Sequence, residues 1–296
     1  MFTTFTKNSS SALLDRIERI REEQRRARLE TEHEETLLCD KHGEVTVWVK
    51  NGETLMNGYE CPHCAAERQA REEEKAKHKA EFVERSNRSV TKLSEILGNY
   101  NTPYRSEQTF ESYQLSGDAK QGRAVYACKR FAERFYVRLA SGDAEKSRVG
   151  LLFRGEYGTG KTHLANAICN EVMKQGFKPI FMTAQTLFNF FRPSARLEIN
   201  DLLHLLAKAP LLVLDEIGRS SGSEFERNQL IELLDARARN GNPTILISNL
   251  STQALSDELG MALISRVQTY FFPLTFDWGD FRRKKTVLKE TPDTLF

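Results

Sequence analysis

Eight residues in the middle of a 296-residue chain, Gly155-Glu156-Tyr157-Gly158-Thr159-Gly160-Lys161-Thr162, have the types and spacing to hold a phosphate. In G-x-x-x-x-G-K-[ST] the glycines let backbone N–H groups curl round an anion. The lysine meets the β/γ charge and the hydroxyl serves Mg²⁺. Glu156, Tyr157, Thr159 and the following His163 belong to the same expected nucleotide-binding segment. Such a loop works only between a strand and a helix. The apolar run ahead of it, Gly150 to Phe153, and the helical run behind it supply that context.

Two further groups fit the same chemistry. Leu211-Leu212-Val213-Leu214 ends in Asp215-Glu216, and Thr244-Ile245-Leu246-Ile247 ends in Ser248-Asn249. In a parallel sheet, ligands sit beyond the carboxyl ends of the strands, so the residues just after each strand should be the chemical ones. Asp215 and Thr162 can then hold Mg²⁺, Glu216 can polarise a water for attack on the γ-phosphate, and Asn249 can orient that water. An acid pair at a helix N-terminus is common without catalysis, but an all-apolar strand ahead of this one favours the catalytic reading. Arg266 and Arg282 are the two arginines that could stabilise a phosphoryl-transfer transition state, although Arg266 could be a surface arginine. No Asn-Lys-x-Asp occurs to read guanine, so adenine is expected.

A second constellation lies near the N-terminus. Cys39-Asp40-Lys41-His42 and Cys61-Pro62-His63-Cys64 are separated by eighteen residues and have metal-ligand spacing. Cys39, His42, Cys61 and Cys64 can close a tetrahedral Zn²⁺ site, with His63 a less well-spaced substitute for His42. Val45, Val47 and Val49 alternate before Asn51-Gly52, which suggests a β-hairpin between the two knuckles. So small a module lacks the core to fold alone, and four protein ligands leave no open position for water. The expected role is structural.

The elements that must position these residues follow from the pattern of apolar runs. Helices are expected over 12–37, with Leu13, Leu14, Ile17 and Ile20 as a stripe, over 65–85, over 121–139 and over 224–240. Strands are expected at 148–154, 178–183, 211–214 and 244–247, with a fifth at Val267 to Phe272. The chain then divides into an N-terminal helical and zinc-binding partner domain (1–85), a linker (86–104) and an α/β domain (105–296). The stripe on the first helix is compatible with a solvated charged helix or with a partner-binding arm.

Composition sets outer bounds. Lys and Arg number 43 against 41 Asp and Glu, so no global field forces contact with nucleic acid. Five cysteines in a chain of this size are no disulfide framework. The first residues lack the apolar core of a secretion signal, and no apolar run approaches the roughly 18–20 residues of a membrane span. A cytoplasmic protein is expected.

Taken together, Gly155 to Thr162, Leu212 to Glu216, Ile247-Ser248-Asn249, Leu259-Gly260 with Arg266, and Phe276-Asp277-Trp278-Gly279-Asp280-Phe281-Arg282 resemble the DnaC/IstB branch of AAA+ ATPases. Thr109-Phe110-Glu111-Ser112-Tyr113 is similar to that branch too. The resemblance spans about residues 100 to 290 and implies a five-stranded parallel core. It implies that Asp215 and Glu216 form the acidic motif, Asn249 the first sensor, Arg266 an arginine finger toward a neighbouring subunit and Arg282 the second-sensor arginine. Only fourteen residues follow Arg282, so the lid would be truncated. The branch includes helicase loaders and helper ATPases of transposition.

The function expected from this resemblance is an ATP-dependent helicase loader in DNA replication. Its N-terminal domain would recruit the replicative helicase, and its ATPase would bind single-stranded DNA as an ATP-dependent oligomer. The rivals are a transposition helper, and a regulator whose zinc module reads DNA. The hairpin carries few basic residues, which disfavours the last. Phe188, Phe190, Phe191 and Arg192 could stack bases or be helix core. Arg283, Lys284 and Lys285 could touch DNA or be a solvated tail.

Overall fold

The computed structural model describes residues 8–55, 58–97, 105–141, 149–191, 198–219 and 222–281. Two compact units divide the chain, residues 1–79 and 80–296.

In the first unit, α1 (Asn8–Leu29) precedes an antiparallel hairpin of β1 (Glu32–Cys39) and β2 (Gly43–Lys50), and α2 (Pro62–Leu97) begins. Alternation makes the hairpin: Val45, Val47 and Val49 lie buried on one face, across from Leu37, Glu35 and His33. The turn is the first cysteine knuckle, with Gly43 at a positive φ of 72°. Two expectations change here. The first helix stops at Leu29 rather than residue 37, because Glu32 to Cys39 pair with β2 and tertiary pairing overrides a charge-rich, helix-compatible sequence. Asn51-Gly52 ends β2 instead of turning the hairpin, and the Asn51 amide donates to Glu30 O at 3.2 Å.

The second unit opens with the end of α2, followed by α3 (Ala119–Glu133), α4 (Phe135–Ser141), β3 (Gly150–Gly155) and α5 (Lys161–Lys174). Next come β4 (Pro179–Thr183), α6 (Ala184–Phe190), α7 (Ile199–Lys208), β5 (Leu211–Asp215) and α8 (Glu224–Arg239). Last are β6 (Thr244–Ser248), α9 (Thr252–Leu259), α10 (Met261–Tyr270) and β7 (Phe271–Phe276). The strands form one parallel sheet in the order β4-β5-β6-β3-β7. Every residue of β5 and β6 is buried, as a sheet covered on both faces requires. Leu212, Leu214 and Leu246 face α7, α8 and α10, while Val213, Ile245 and Ile247 face α3 and α5. The five-stranded α/β core is therefore as expected.

Two details differ. The fifth strand is Phe271–Phe276, not Val267 to Phe272. Leu263, Ile264 and Val267 recur at helical spacing and bury one face of α10. Pro273 is tolerated because β7 is an edge strand. Of the segment expected as linker, residues 86–97 continue α2. Val90 and Leu93 are buried in the sheet's core, and the Asn87 amide donates to Gly176 O at 2.9 Å. Ser86 and Ser94 return their hydroxyls to the carbonyls four residues back, so a polar-looking stretch stays helical. Residues 98–104 lie outside the described ones. Phe188 and Phe191 are core residues at 2% exposure, the helix-core alternative of the two left open, and are not available to stack bases.

Candidate nucleotide and metal sites

The phosphate loop leaves β3 at Gly155 and enters α5 at Lys161, which puts the N–H groups of the helix's first turn at the loop. Two glycines are required sterically. A Cβ on Gly155 would lie 2.0 Å from Phe276 O, and one on Gly160 would meet the Tyr113 ring at 2.6 Å, at a φ of 89°. Lys161 is 5% exposed, and its Nζ donates to Gly155 O at 2.8 Å and Glu156 O at 2.6 Å. The cation is thus held inside the loop by neutral carbonyls, which a phosphate can replace with a stronger charge-assisted partner.

The acidic pair sits across from it. Thr162 Oγ1 donates to Asp215 Oδ2 at 2.9 Å, and the Glu216 N–H donates to Asp215 Oδ1 at 2.7 Å. Burial pushes the Asp215 carboxyl above its usual range, opposed by the Thr162 hydrogen bond. Two oxygens bound at about 2.1 Å on adjacent corners of an octahedron lie about 3.0 Å apart. The Thr162–Asp215 pair has that spacing and hard-oxygen chemistry, so these residues fit Mg²⁺. Glu216 has φ 60°, the one positive φ of a non-glycine among the described residues. Its carboxylate accepts from Arg219 Nη1 at 2.7 Å.

These groups line one cleft of 840 Å³ together with Tyr157, Gly158, Thr159, Gly160, His163 and Asn249. Its far wall is a second finding. Tyr113 Oη and Trp278 Nε1 both donate to Thr159 O, at 3.0 and 2.9 Å, and the Phe281 N–H donates to Gly158 O at 3.0 Å. His163 Nε2 lies 2.9 Å from Thr109 O, and its ring packs edge-on to Tyr113. His163 therefore ties the 109–113 segment to α5. Tyr113, Gln121, Trp278 and Arg219 were not picked out by motif. For Tyr113 and Trp278 the available signal was their place in the runs around Thr109 and Phe276; Gln121 and Arg219 carried none.

The structure does not bring Arg266 into this cleft. It lies on α10, half-buried, with Nε 3.4 Å from Asp235 Oδ1. Arg282, with Arg192 and residues 283–285, falls outside the described residues.

In the first unit Cys39, His42, Cys61 and Cys64 come together, with their donor atoms all within 4.8 Å of one another. His42 Nδ1 is 3.6 Å from Cys39 Sγ, 3.6 Å from Cys61 Sγ and 3.4 Å from Cys64 Sγ, and Cys39 and Cys64 sulfurs are 3.6 Å apart. Tetrahedral Zn²⁺ with bonds of about 2.3 Å to sulfur and 2.0–2.1 Å to nitrogen puts ligands about 3.6–3.8 Å apart. The cluster fits that geometry. Pro62 opens α2 directly after Cys61, so the second knuckle sits on a helix N-terminus. Backbone N–H groups of Lys41 and His42 aimed at sulfur hold the Cys39 thiol down at about 6, favouring the thiolate a metal needs. His42 Nε2 meets Glu67 Oε1 at 3.2 Å, the outer carboxylate that orients a ligating imidazole. His63 packs against the His42 ring but is not one of the four.

A phosphate loop, an acidic pair and a polar residue at the carboxyl ends of adjacent parallel strands define a P-loop nucleotide-binding fold. The chain belongs to the IstB-like ATP-binding protein family, whose match covers residues 78–268. It is 29% identical over 217 residues to the replicative helicase loader DnaC of Buchnera aphidicola subsp. Schizaphis graminum, covering 71% of this chain and 84% of the relative. To DnaC of Escherichia coli K12 it is 28% identical over 209 residues, 69% of this chain and 81% of that one. An IS1162 putative ATP-binding protein of Pseudomonas fluorescens is 33% identical over 134 residues, 45% of this chain and 55% of its own length. Among solved structures, AMPPCP-bound DnaA from Aquifex aeolicus superposes with a TM-score of 0.50 at 20% identity, over 65% of this chain and 57% of that one. That likeness concerns the fold. No helix among the described residues is long and apolar enough to cross a membrane.

Proposed function

We propose that this chain is an ATP-dependent helicase loader. The observation that carries the reading is its similarity to replicative helicase loaders over 84% of a relative's length, which takes in more than the phosphate-loop core. The cleft suits hydrolysis of ATP. Water oxygen bonds to the γ-phosphorus as the bond from that phosphorus to the ADP oxygen breaks, and Glu216 accepts the water proton. Asn249 orients the water, Lys161 neutralises the β/γ oxygens, and Thr162 and Asp215 hold Mg²⁺, which supplies further charge neutralisation when bound.

The metal cluster is a structural zinc site. α1 offers Ile17 and Ile20 at 37% and 44% exposure among charged neighbours, a surface suited to a partner protein, here the replicative helicase. Arg266 acts as an arginine finger on a neighbouring subunit, since it lies away from its own cleft and partly in solvent, and an ATP-dependent oligomer grips single-stranded DNA. Arg282 is carried as the second-sensor arginine on sequence grounds alone. The domain reading remains a partner-binding N-terminal part and an ATPase part.

A transposition helper is the second reading, favoured by the IS1162 relative over a shorter stretch. Capture on the full chain from lysate of the source cell, with and without ATP, separates the two. Co-elution of a replicative helicase supports the loader, and a transposase without helicase overturns it.

A further inference from the structure

The turn after β5 is built to aim one side chain. Ile217 N–H donates to Ile247 O at 2.9 Å, Ser248 Oγ donates to Ile217 O at 2.7 Å, and Leu250 N–H donates to Ser248 Oγ at 3.1 Å. Those bonds fasten the turn to β6, two residues from Asn249. Gly218, at φ 85°, is pressed so close to Leu250 that a Cβ would lie 2.6 Å from its Cδ1. Within this frame Glu216 takes φ 60°, a conformation that costs a non-glycine residue about 1–3 kcal/mol and persists only where the surroundings over-determine it. Arg219 closes the turn twice. Its N–H donates to Glu216 O at 3.2 Å, and its Nη1 donates to Glu216 Oε1 at 2.7 Å.

We propose that Arg219 is the positioning residue for Glu216: it holds one carboxylate oxygen so that the other is presented to the water facing the γ-phosphate. This rests on the reading of Glu216 as the base for ATP hydrolysis. A strained backbone alone fixes where the side chain leaves the turn, not where its carboxylate ends. The two side-chain torsions beyond Cβ are set by the guanidinium. Both residues line the cleft. An exposed ion pair of this kind contributes little to stability, so its effect in the cleft is to orient the carboxylate rather than to hold the fold. Neither the phosphate-loop motif nor the acidic pair points to this arginine, which stands three residues beyond them in a glycine-containing turn.

The test is steady-state ATP hydrolysis by the full chain carrying Arg219→Ala, Arg219→Lys or Glu216→Gln, beside equilibrium binding of a non-hydrolysable ATP analogue. Arg219→Ala should lower kcat about 10- to 100-fold with KM and analogue affinity within about twofold, because misdirection of a catalytic group costs turnover and not binding. Arg219→Lys, which can still donate one N–H to Oε1, should recover part of the loss. Wild-type kcat in Arg219→Ala, while Glu216→Gln is inactive, overturns the inference and leaves the ATPase reading intact. Weakened analogue binding in Arg219→Ala also overturns it, by making the arginine a direct phosphate contact. Unchanged hydrolysis in Glu216→Gln overturns both.

Discussion

Thr162 Oγ1 donates to Asp215 Oδ2 at 2.9 Å, joining the first turn of α5 to the carboxyl end of β5 across the cleft. Burial keeps this carboxyl above the ordinary aspartate range. An acid whose folded-state value is raised contributes most to folding while protonated, and loses that contribution as pH rises through the folded-state value. At neutral pH the charge is therefore carried at a cost in stability, for the sake of the cation. Asp215→Asn removes the charge while its amide oxygen can still accept from the Glu216 N–H and its NH2 can donate to the Thr162 hydroxyl, which rotates to accept. It should raise the Tm of the nucleotide-free protein near pH 7 by a few degrees, since about 1 kcal/mol moves Tm by 2–4 °C in a chain of this size. The gain should shrink as pH falls through the carboxyl's folded-state value. Mg²⁺-dependent ATP binding should weaken more than about tenfold. A variant no more stable than wild type at neutral pH would show that the buried charge is compensated by contacts other than Thr162.

Lys161 Nζ rests on Gly155 O and Glu156 O, so the loop already closes round its lysine. Lys161→Ala removes the charge that the loop itself places to meet the β/γ oxygens and leaves two carbonyls turned inward where a phosphate must approach. Nucleotide affinity measured by calorimetry should fall about 100-fold or more, given about 1.5–3 kcal/mol for each hydrogen bond to a charged group. Affinity kept within about twofold would refute the phosphate-loop assignment.

What the sequence disclosed and what it hid have separate physical causes. Gly155 to Thr162, Asp215, Glu216 and Asn249 were legible because strand ends in a parallel sheet are fixed by short apolar runs, and chemistry follows directly after them. The clustering of Cys39, His42, Cys61 and Cys64 was legible because each knuckle is local. The bonds of Tyr113 and Trp278 were hidden because each meets Thr159 O from dozens of residues away, and no periodicity records a contact at that separation. Strand β1 was hidden because Glu32 to Glu35 gain their strand partners only from β2. Val267 misled for the opposite reason, since its branched side chain suits a strand but here completes the buried stripe of a helix. Arg219 was hidden because its role depends on a positive φ at Glu216, and sequence carries no sign of that at a non-glycine residue.

Cys61 is the most buried of the four clustered ligands, at 4% exposure, and it stands where the hairpin's return meets the start of α2. Among the described residues the first unit has few buried apolar side chains, chiefly Val45, Val47 and Val49, so on the zinc reading its fold draws on the metal. Structural Zn²⁺ supplies about 10–16 kcal/mol in small modules, more than such a core can replace. Cys61→Ser should therefore lower bound zinc from about one equivalent to a small fraction of that, and abolish protease resistance over the first 79 residues or so. The second unit has its own two-faced core, so ATP binding should stay within about twofold and its thermal transition should persist. A strong chelator on the wild-type chain should give the same pattern. Full zinc content in Cys61→Ser would refute the ligand set. Loss of both transitions together would mean that the two units fold as one.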